Sequence, residues 1–213
     1  MLTDLDAIRS GFPRAVPVFP LPNSVLFPGA LMPLHIFEPR YRAMLRDALS
    51  ADGNIAMAML AQCSPEEYRD SPPFHATVCV GHVLKHDALS GGRSNIVLLG
   101  VSVGTATTRT DEKPYCTADI ELVEDRSDLG SEFEGLLARA FKGSSPGTET
   151  VEDLREHLSG ILPGKDVDAG LVGACAVSAR IPPLHKLELL QEPSLCRRLE
   201  RLVEFIDRPW QWN

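Results

Sequence analysis

Five prolines punctuate residues 16–36, at positions 17, 20, 22, 28 and 33, and most residues between them are apolar: Val18, Phe19, Leu21, Val25, Leu26, Phe27, Leu31, Met32 and Leu34. Helix is excluded there, because proline lacks the N–H a helix interior needs and its ring collides with the preceding turn. The apolar side chains must still be buried. What remains is a set of short strands, bulged or at a sheet edge, where a missing donor costs least. Pro28-Gly29 suits the central positions of a type II turn, with glycine supplying the positive φ.

The signals that follow extend this sheet. Leu2, Leu5 and Ile8 mark one or two helical turns before it, with Gly11 as a stop. Pro39 opens a helix at the first-turn position, and Tyr41, Met44, Leu45, Ala48 and Leu49 form its apolar stripe. Ile55–Leu60 is a continuous apolar run that reads as a buried strand. Ser64-Pro-Glu-Glu67 has the form of a capping box ahead of a short helix. Residues 76–86 alternate as a strand does, with Gly81 as a possible bulge; residues 96–110 are rich in Val and Thr, which favour strands, with Gly100 and Gly104 as bends; and 115–123 closes this β-rich half. After Asp125 the periodicity becomes helical. Phe133, Leu136, Leu137, Ala140 and Phe141 share a face, with Ser131 and Glu134 as a further capping box. Gly170, Gly173, Ala174, Cys175 and Ala176 make one segment unusually small, as close packing at the centre of a helical group requires. The expected fold is α+β: a partly open β-barrel lobe with one inserted helix over residues 1–125, then an α-helical bundle lobe over 126–213, together one unit.

Charge narrows the class. The 213 residues carry 21 Lys+Arg against 29 Asp+Glu, a formal charge of −8, which disfavours nucleic acid, since binding it means neutralising phosphates with Lys and Arg. No apolar run reaches the ~18 residues of a membrane span, and the first six residues are acidic where a secretory signal would be basic. Cys63, Cys79, Cys116, Cys175 and Cys196 are scattered, without a C-x-x-C pair; this reads as a reduced, cytoplasmic protein. Neither nucleic acid nor membrane is an expected partner.

Catalytic signatures are missing. There is no P-loop, no G-x-S-x-G elbow and no H-E-x-x-H, so no catalytic residue, metal or cofactor is assigned. His82 and His86, four apart in a strand and near His75 and Asp87, are the best metal candidates, and a pair of surface histidines explains them as well. Cys79 reads as a small core residue. Arg197, Arg198 and Arg201 alternate with Glu200 and Glu204, which reads as an exposed, salt-bridged helix face. Trp210 and Trp212 either dock the tail on its own body or anchor a partner.

The block Val16-Pro-Val-Phe-Pro-Leu-Pro-Asn-Ser-Val-Leu-Phe-Pro-Gly-Ala-Leu-Met-Pro-Leu-His-Ile-Phe-Glu-Pro-Arg-Tyr41 resembles the opening of the N-terminal substrate-binding domain of Lon-type ATP-dependent proteases. Gly81-His-Val, Asn95-Ile-Val-Leu-Leu-Gly100, Pro114-Tyr-Cys-Thr-Ala118, Lys186-Leu-Glu-Leu-Leu190 and Arg198-Leu199 follow in the same order. The resemblance implies a PUA-like β-barrel lobe followed by a helical bundle, and a stand-alone, non-catalytic role in binding an unfolded or a specific folded protein client. An ATPase or protease would then act as a partner in trans. It points to the Pro28–Tyr41 segment and the groove between the lobes, with Phe37 and Tyr41 as apolar anchors or as packing of the first helix onto the barrel, Glu38 and Arg40 fixing orientation or forming a local structural pair, and Pro28 and His35 beside them. The alternative from another class is an enzyme or small-molecule binder using the cleft between the lobes, with His35 or His82. RNA binding rests only on the fold analogy.

Overall fold

A computed structural model describes residues 5–10, 15–208 and 210. Helix α1 (Leu5–Ser10) precedes β1 (Val16–Leu21), β2 (Leu31–Ile36), α2 (Pro39–Ser50), β3 (Asn54–Leu60) and α3 (Pro65–Asp70). Strands β4 (Phe74–Ala88), β5 (Ser94–Thr110) and β6 (Thr117–Val123) follow, then helices α4 (Phe133–Ser144), α5 (Val151–Ser159), α6 (Val167–Ser178), α7 (Pro183–Gln191) and α8 (Leu195–Ile206). The α+β class and the partly open sheet stand as expected.

The six strands form one sheet in the order β2-β5-β4-β3-β1-β6, and β6 also pairs with β5. Five strands therefore curl into a ring, with β2 attached to the outside of β5. The ring is only partly closed, because β1 meets β6 at Val16↔Ala118 and Pro17↔Thr117 and no further. Proline explains where that pairing ends. The Val18 N–H donates to the Cys116 carbonyl, so even-numbered residues of β1 face β6, and Pro20 falls on that side with no N–H to give. Strands β1 and β3 run parallel, which demands a crossover; β2 and α2 supply it.

Two apolar clusters result. Val16, Val18, Ala56, Ala58, Val78, Cys116 and Ala118 form the smaller one, with Phe74, Ala106 and Ile120 packed against it. Ile55, Met57 and Met59, on the other face of β3, join the large cluster that also holds α2 and the helices α4–α8. Because β3 is covered on both faces, it carries the continuous apolar run that marks a doubly buried strand.

Helix α6 lies at the centre of the helical group. Eight of its residues are buried, and a helix apolar all round belongs in a core. Its glycines have a specific purpose. The turn Phe27–Ala30, closed by the Ala30 N–H on the Phe27 carbonyl, presses into them. A Cβ at Gly173 would come within 2.4 Å of the Pro28 carbonyl oxygen, and one at Gly29 within 2.3 Å of the Gly170 Cα. Gly29 has φ +73°, as the type II turn requires. The small-residue segment is thus the seat of the proline-glycine turn.

Three expectations are corrected. Ser131 and Glu134 form no capping box: α4 starts at Phe133, and its N-cap Glu132 makes no side-chain bond. The boxes present are Ser64/Glu67, as expected, and Thr150/Asp153 at α5. His82 and His86 do not share a face, because the register against β5 slips between Val83 and Lys85. His82 then lies opposite Leu99 and His86 opposite Ile96, an odd number of residues apart, and successive strand residues alternate faces. No group of three His, Cys, Asp or Glu suited to a metal occurs among the described residues. Third, Arg198 is not on an exposed face; it is fully buried.

Candidate functional site

The Pro28–Tyr41 segment divides into a buried beginning, an open middle and a clamped end. Pro28 is buried in the turn against α6. Beyond it, β2 is the terminal strand of the sheet. The Ala30 carbonyl accepts from the Gly100 N–H at 2.9 Å, so even positions of β2 turn their backbone groups toward β5 and odd positions turn theirs outward. Pro33 is one of the odd positions, and its missing N–H therefore falls on the free edge, where proline is tolerated. Leu31, Pro33 and His35 are exposed, and Phe37 at 56% is among the most exposed large apolar residues. The His35 imidazole stacks on Phe37 with centroids 5.9 Å apart. Its Nδ1 lies 2.7 Å from Asn95 Oδ1, which fixes the ring beside the phenyl group.

Glu38 and Arg40 spend their polar groups inside the protein. Arg40 Nε donates to Glu38 Oε2 at 3.1 Å and Nη1 to the Tyr68 carbonyl at 2.7 Å. The Tyr68 hydroxyl donates to Glu38 Oε1 at 3.2 Å. The Arg40 guanidinium is held between two rings, 4.7 Å from Tyr41 and 4.6 Å from Tyr68. Stacking of this kind adds to the hydrogen bonds. The pair clamps α3 to the start of α2. Tyr41 is buried, tilted against Phe19 at 4.4 Å, and its hydroxyl has no well-formed hydrogen bond among the described residues. Burial raises its pKa well above the usual phenol value, although the neighbouring Arg40 pulls the other way. Of the six segment residues, then, His35 and Phe37 face solvent together, Glu38 and Arg40 brace them, and Pro28 and Tyr41 lie in the core.

A second concentration of polar residues, not anticipated from the sequence, joins the end of β6 to the start of α8. Arg198 donates to both oxygens of Asp125, at 2.6 and 3.0 Å, and to the carbonyls of Leu189 and Glu192. A bidentate pair with its remaining donors satisfied is the arrangement in which a buried arginine is tolerated. Arg126 bridges Pro193 and Leu195 through its backbone. The Ser194 hydroxyl donates to Asp128 Oδ2 at 2.6 Å while accepting from the Arg197 N–H, and that bond lowers the Asp128 pKa. A sequence signal for Arg198 did exist: Leu195, Arg198, Leu202 and Phe205 form one row at helical spacing. At the end of the same helix, Trp210 docks on the body, donating to the Phe205 carbonyl at 2.7 Å and packing on His185; Trp212 lies outside the described residues.

This architecture has known counterparts. The N-terminal domain of the Lon protease from the Mycobacterium avium complex superposes with a TM-score of 0.63 at 14% identity, covering 91% of this chain and 98% of that one. A Lon N-terminal domain protein from Xanthomonas campestris gives the same TM-score at 24% identity, covering 91% and 99%. In sequence, the chain is 24% identical to the Lon protease of Anaeromyxobacter dehalogenans over 94% of its length. It spans about a quarter (24%) of the length of that relative. A family profile, the substrate-binding domain of the ATP-dependent protease La (LON), matches residues 15–208. With that match running from β1 to the end of α8, the chain belongs to the LON substrate-binding domain family.

Proposed function

We propose that the protein is a non-catalytic binding module for protein clients, and that the outward face of β2 with Phe37 is where a client is held. The observation that carries this reading is the exposed apolar row at an unpaired strand edge, in a chain of the LON substrate-binding family. An extended client adds to such an edge through main-chain bonds and is discriminated by its side chains. Pro33 interrupts the donors on that edge. It limits indefinite pairing with other copies and shifts the burden of affinity to Leu31, His35 and Phe37. In this reading residues 1–125 and 126–213 are two lobes of one unit. The module works in the cytoplasm and delivers clients to an ATPase or protease partner in trans.

The test is fluorescence anisotropy of a labelled, permanently unfolded protein titrated with this one at two salt concentrations. The reading expects saturable binding with little salt dependence. Phe37→Ala is expected to weaken it about tenfold, equivalent to ~1.4 kcal/mol. Absence of binding at high micromolar concentration, or full affinity in Phe37→Ala, would refute it.

A further inference from the structure

The free edge of β2 presents its backbone unevenly. Even-numbered positions bond to β5, so Leu31, Pro33 and His35 turn their main-chain groups outward. Among the described residues these groups have no partner. Leu31 and His35 each offer an N–H and a carbonyl, whereas Pro33 offers a carbonyl alone. The edge therefore reads donor and acceptor, acceptor only, donor and acceptor, along roughly 14 Å of strand. The side chains of the same three residues are exposed and share one face. Those of Met32 and Leu34, on the other face, pack against the large core.

This pattern dictates what can cover it. A chain added antiparallel turns the main-chain groups of alternate residues toward the edge. Opposite His35 and Leu31 a client residue exchanges both bonds. Opposite Pro33 it donates its N–H, but its own carbonyl meets no donor. The residues in between turn their N–H groups to solvent, where proline is tolerated. A second copy of this chain is a poor occupant. Two β2 strands in full antiparallel overlap set Pro33 against Pro33, with two carbonyls and no donor between them.

Resting on the reading that β2 holds protein clients, we propose that the edge selects a five-residue strand segment centred opposite Pro33, the one placement that uses every free group. Its first, third and fifth residues carry apolar side chains beside His35, Pro33 and Leu31, and each must supply an N–H. Proline and other N-substituted residues are excluded at those three places and accepted at the second and fourth.

Anisotropy with a fluorescein-labelled nonapeptide, Val-Thr-Leu-Thr-Val between Gly-Ser and Ser-Gly flanks, tests this in the full chain. N-methylation removes one backbone donor at a time. A methyl on the leucine nitrogen is expected to weaken binding roughly tenfold or more, and one on either threonine nitrogen to change it less than about threefold. Pro33→Ala supplies the donor that the central client carbonyl lacks and is expected to tighten the unmodified peptide about fivefold, the direction opposite to damage. Equal losses for leucine and threonine methylation, or no gain in Pro33→Ala, overturn the proposal. Phe37→Ala separates it from the reading beneath it. A tenfold loss in that variant, with methylated peptides that all bind alike, would keep the client site and strike the backbone pattern. An unmodified peptide that fails to bind overturns both.

Discussion

The segment from Phe27 to Phe37 is of one composition, apolar and proline-rich, yet its two ends meet opposite fates. The first end is sealed: Phe27, Pro28, Gly29 and Ala30 are buried against Gly170 and Gly173 of α6. The other end is open, with Leu31, Pro33, His35 and Phe37 exposed along an unpaired strand edge. Hydrophobicity does not distinguish them. What does is whether the rest of the chain provides a surface cut to fit, and here two glycines on one face of a distant helix provide it for one end only. An apolar row left without such a counterpart is the informative kind of exposure.

Variants of the seam should have the largest effects. Arg198→Ala empties a fully buried site and leaves the part-buried Asp125 without its cation, and is expected to cost about 3–5 kcal/mol, read by urea unfolding. The double variant Arg198→Met/Asp125→Leu, which removes both charges, should recover at least half of that loss. A double variant no better than the single one would mean that the charges themselves, and not their pairing, hold the connector to α8. Gly29→Ala follows, at about 2–5 kcal/mol. It puts a side chain at positive φ and drives a Cβ into the α6 backbone. A cost below 1 kcal/mol would show that the turn and α6 can move apart.

At the open end the same measurement should barely respond. Phe37→Ala is expected to stay within ±0.5 kcal/mol, or about 2 °C in Tm; a larger loss would assign Phe37 to the fold and erase the contrast. The smallest effect is a pH dependence in the row behind Leu31, where Leu31 pairs with Leu99 and Leu99 with His82. Burial lowers the His82 pKa below its usual 6.5, with Asp52 opposing in part. The unfolded chain therefore binds the proton more readily. Stability from this group is complete above pH 6.5 and declines as pH falls from there toward the lowered folded value. His82→Asn should flatten the dependence between pH 7.5 and 5.5; an unchanged slope would assign it to other groups.

Much of this was legible in the sequence, for reasons that can be named. Pro39, the Ser64/Glu67 box, the apolar run of β3 and the Pro28-Gly29 turn are local rules, and each acts where it is written. One local rule failed, the Ser131/Glu134 box, because α4 starts at Phe133; the other errors involve partners distant in the chain. A single bulge in β4 turned His82 away from His86. The charge-pattern rule placed Arg198 outside, although its place in the Leu195–Leu202 row put it inside, with a partner 73 positions away. The candidate residues behaved the same way. Phe37 was legible as an apolar anchor, but its partner in the open row is His35 and not Tyr41, which is buried; the commitment of Arg40 to Tyr68, on another helix, was not legible.

The seating of the turn on α6 also has a consequence in time. Gly29 rests on Gly170, a residue that leaves the ribosome on the order of 140 positions later. At typical elongation rates this is a wait of roughly 7–28 s, during which an apolar stretch has been made and its seat has not. Ring closure waits as well, since β1 needs β6. Contacts this distant in sequence slow folding in general. Nascent chains truncated before α6 are therefore expected to be digested by protease within Val25–Leu34 and protected there once α6 has emerged, so that the order of synthesis leaves this turn open for longer than any local contact would.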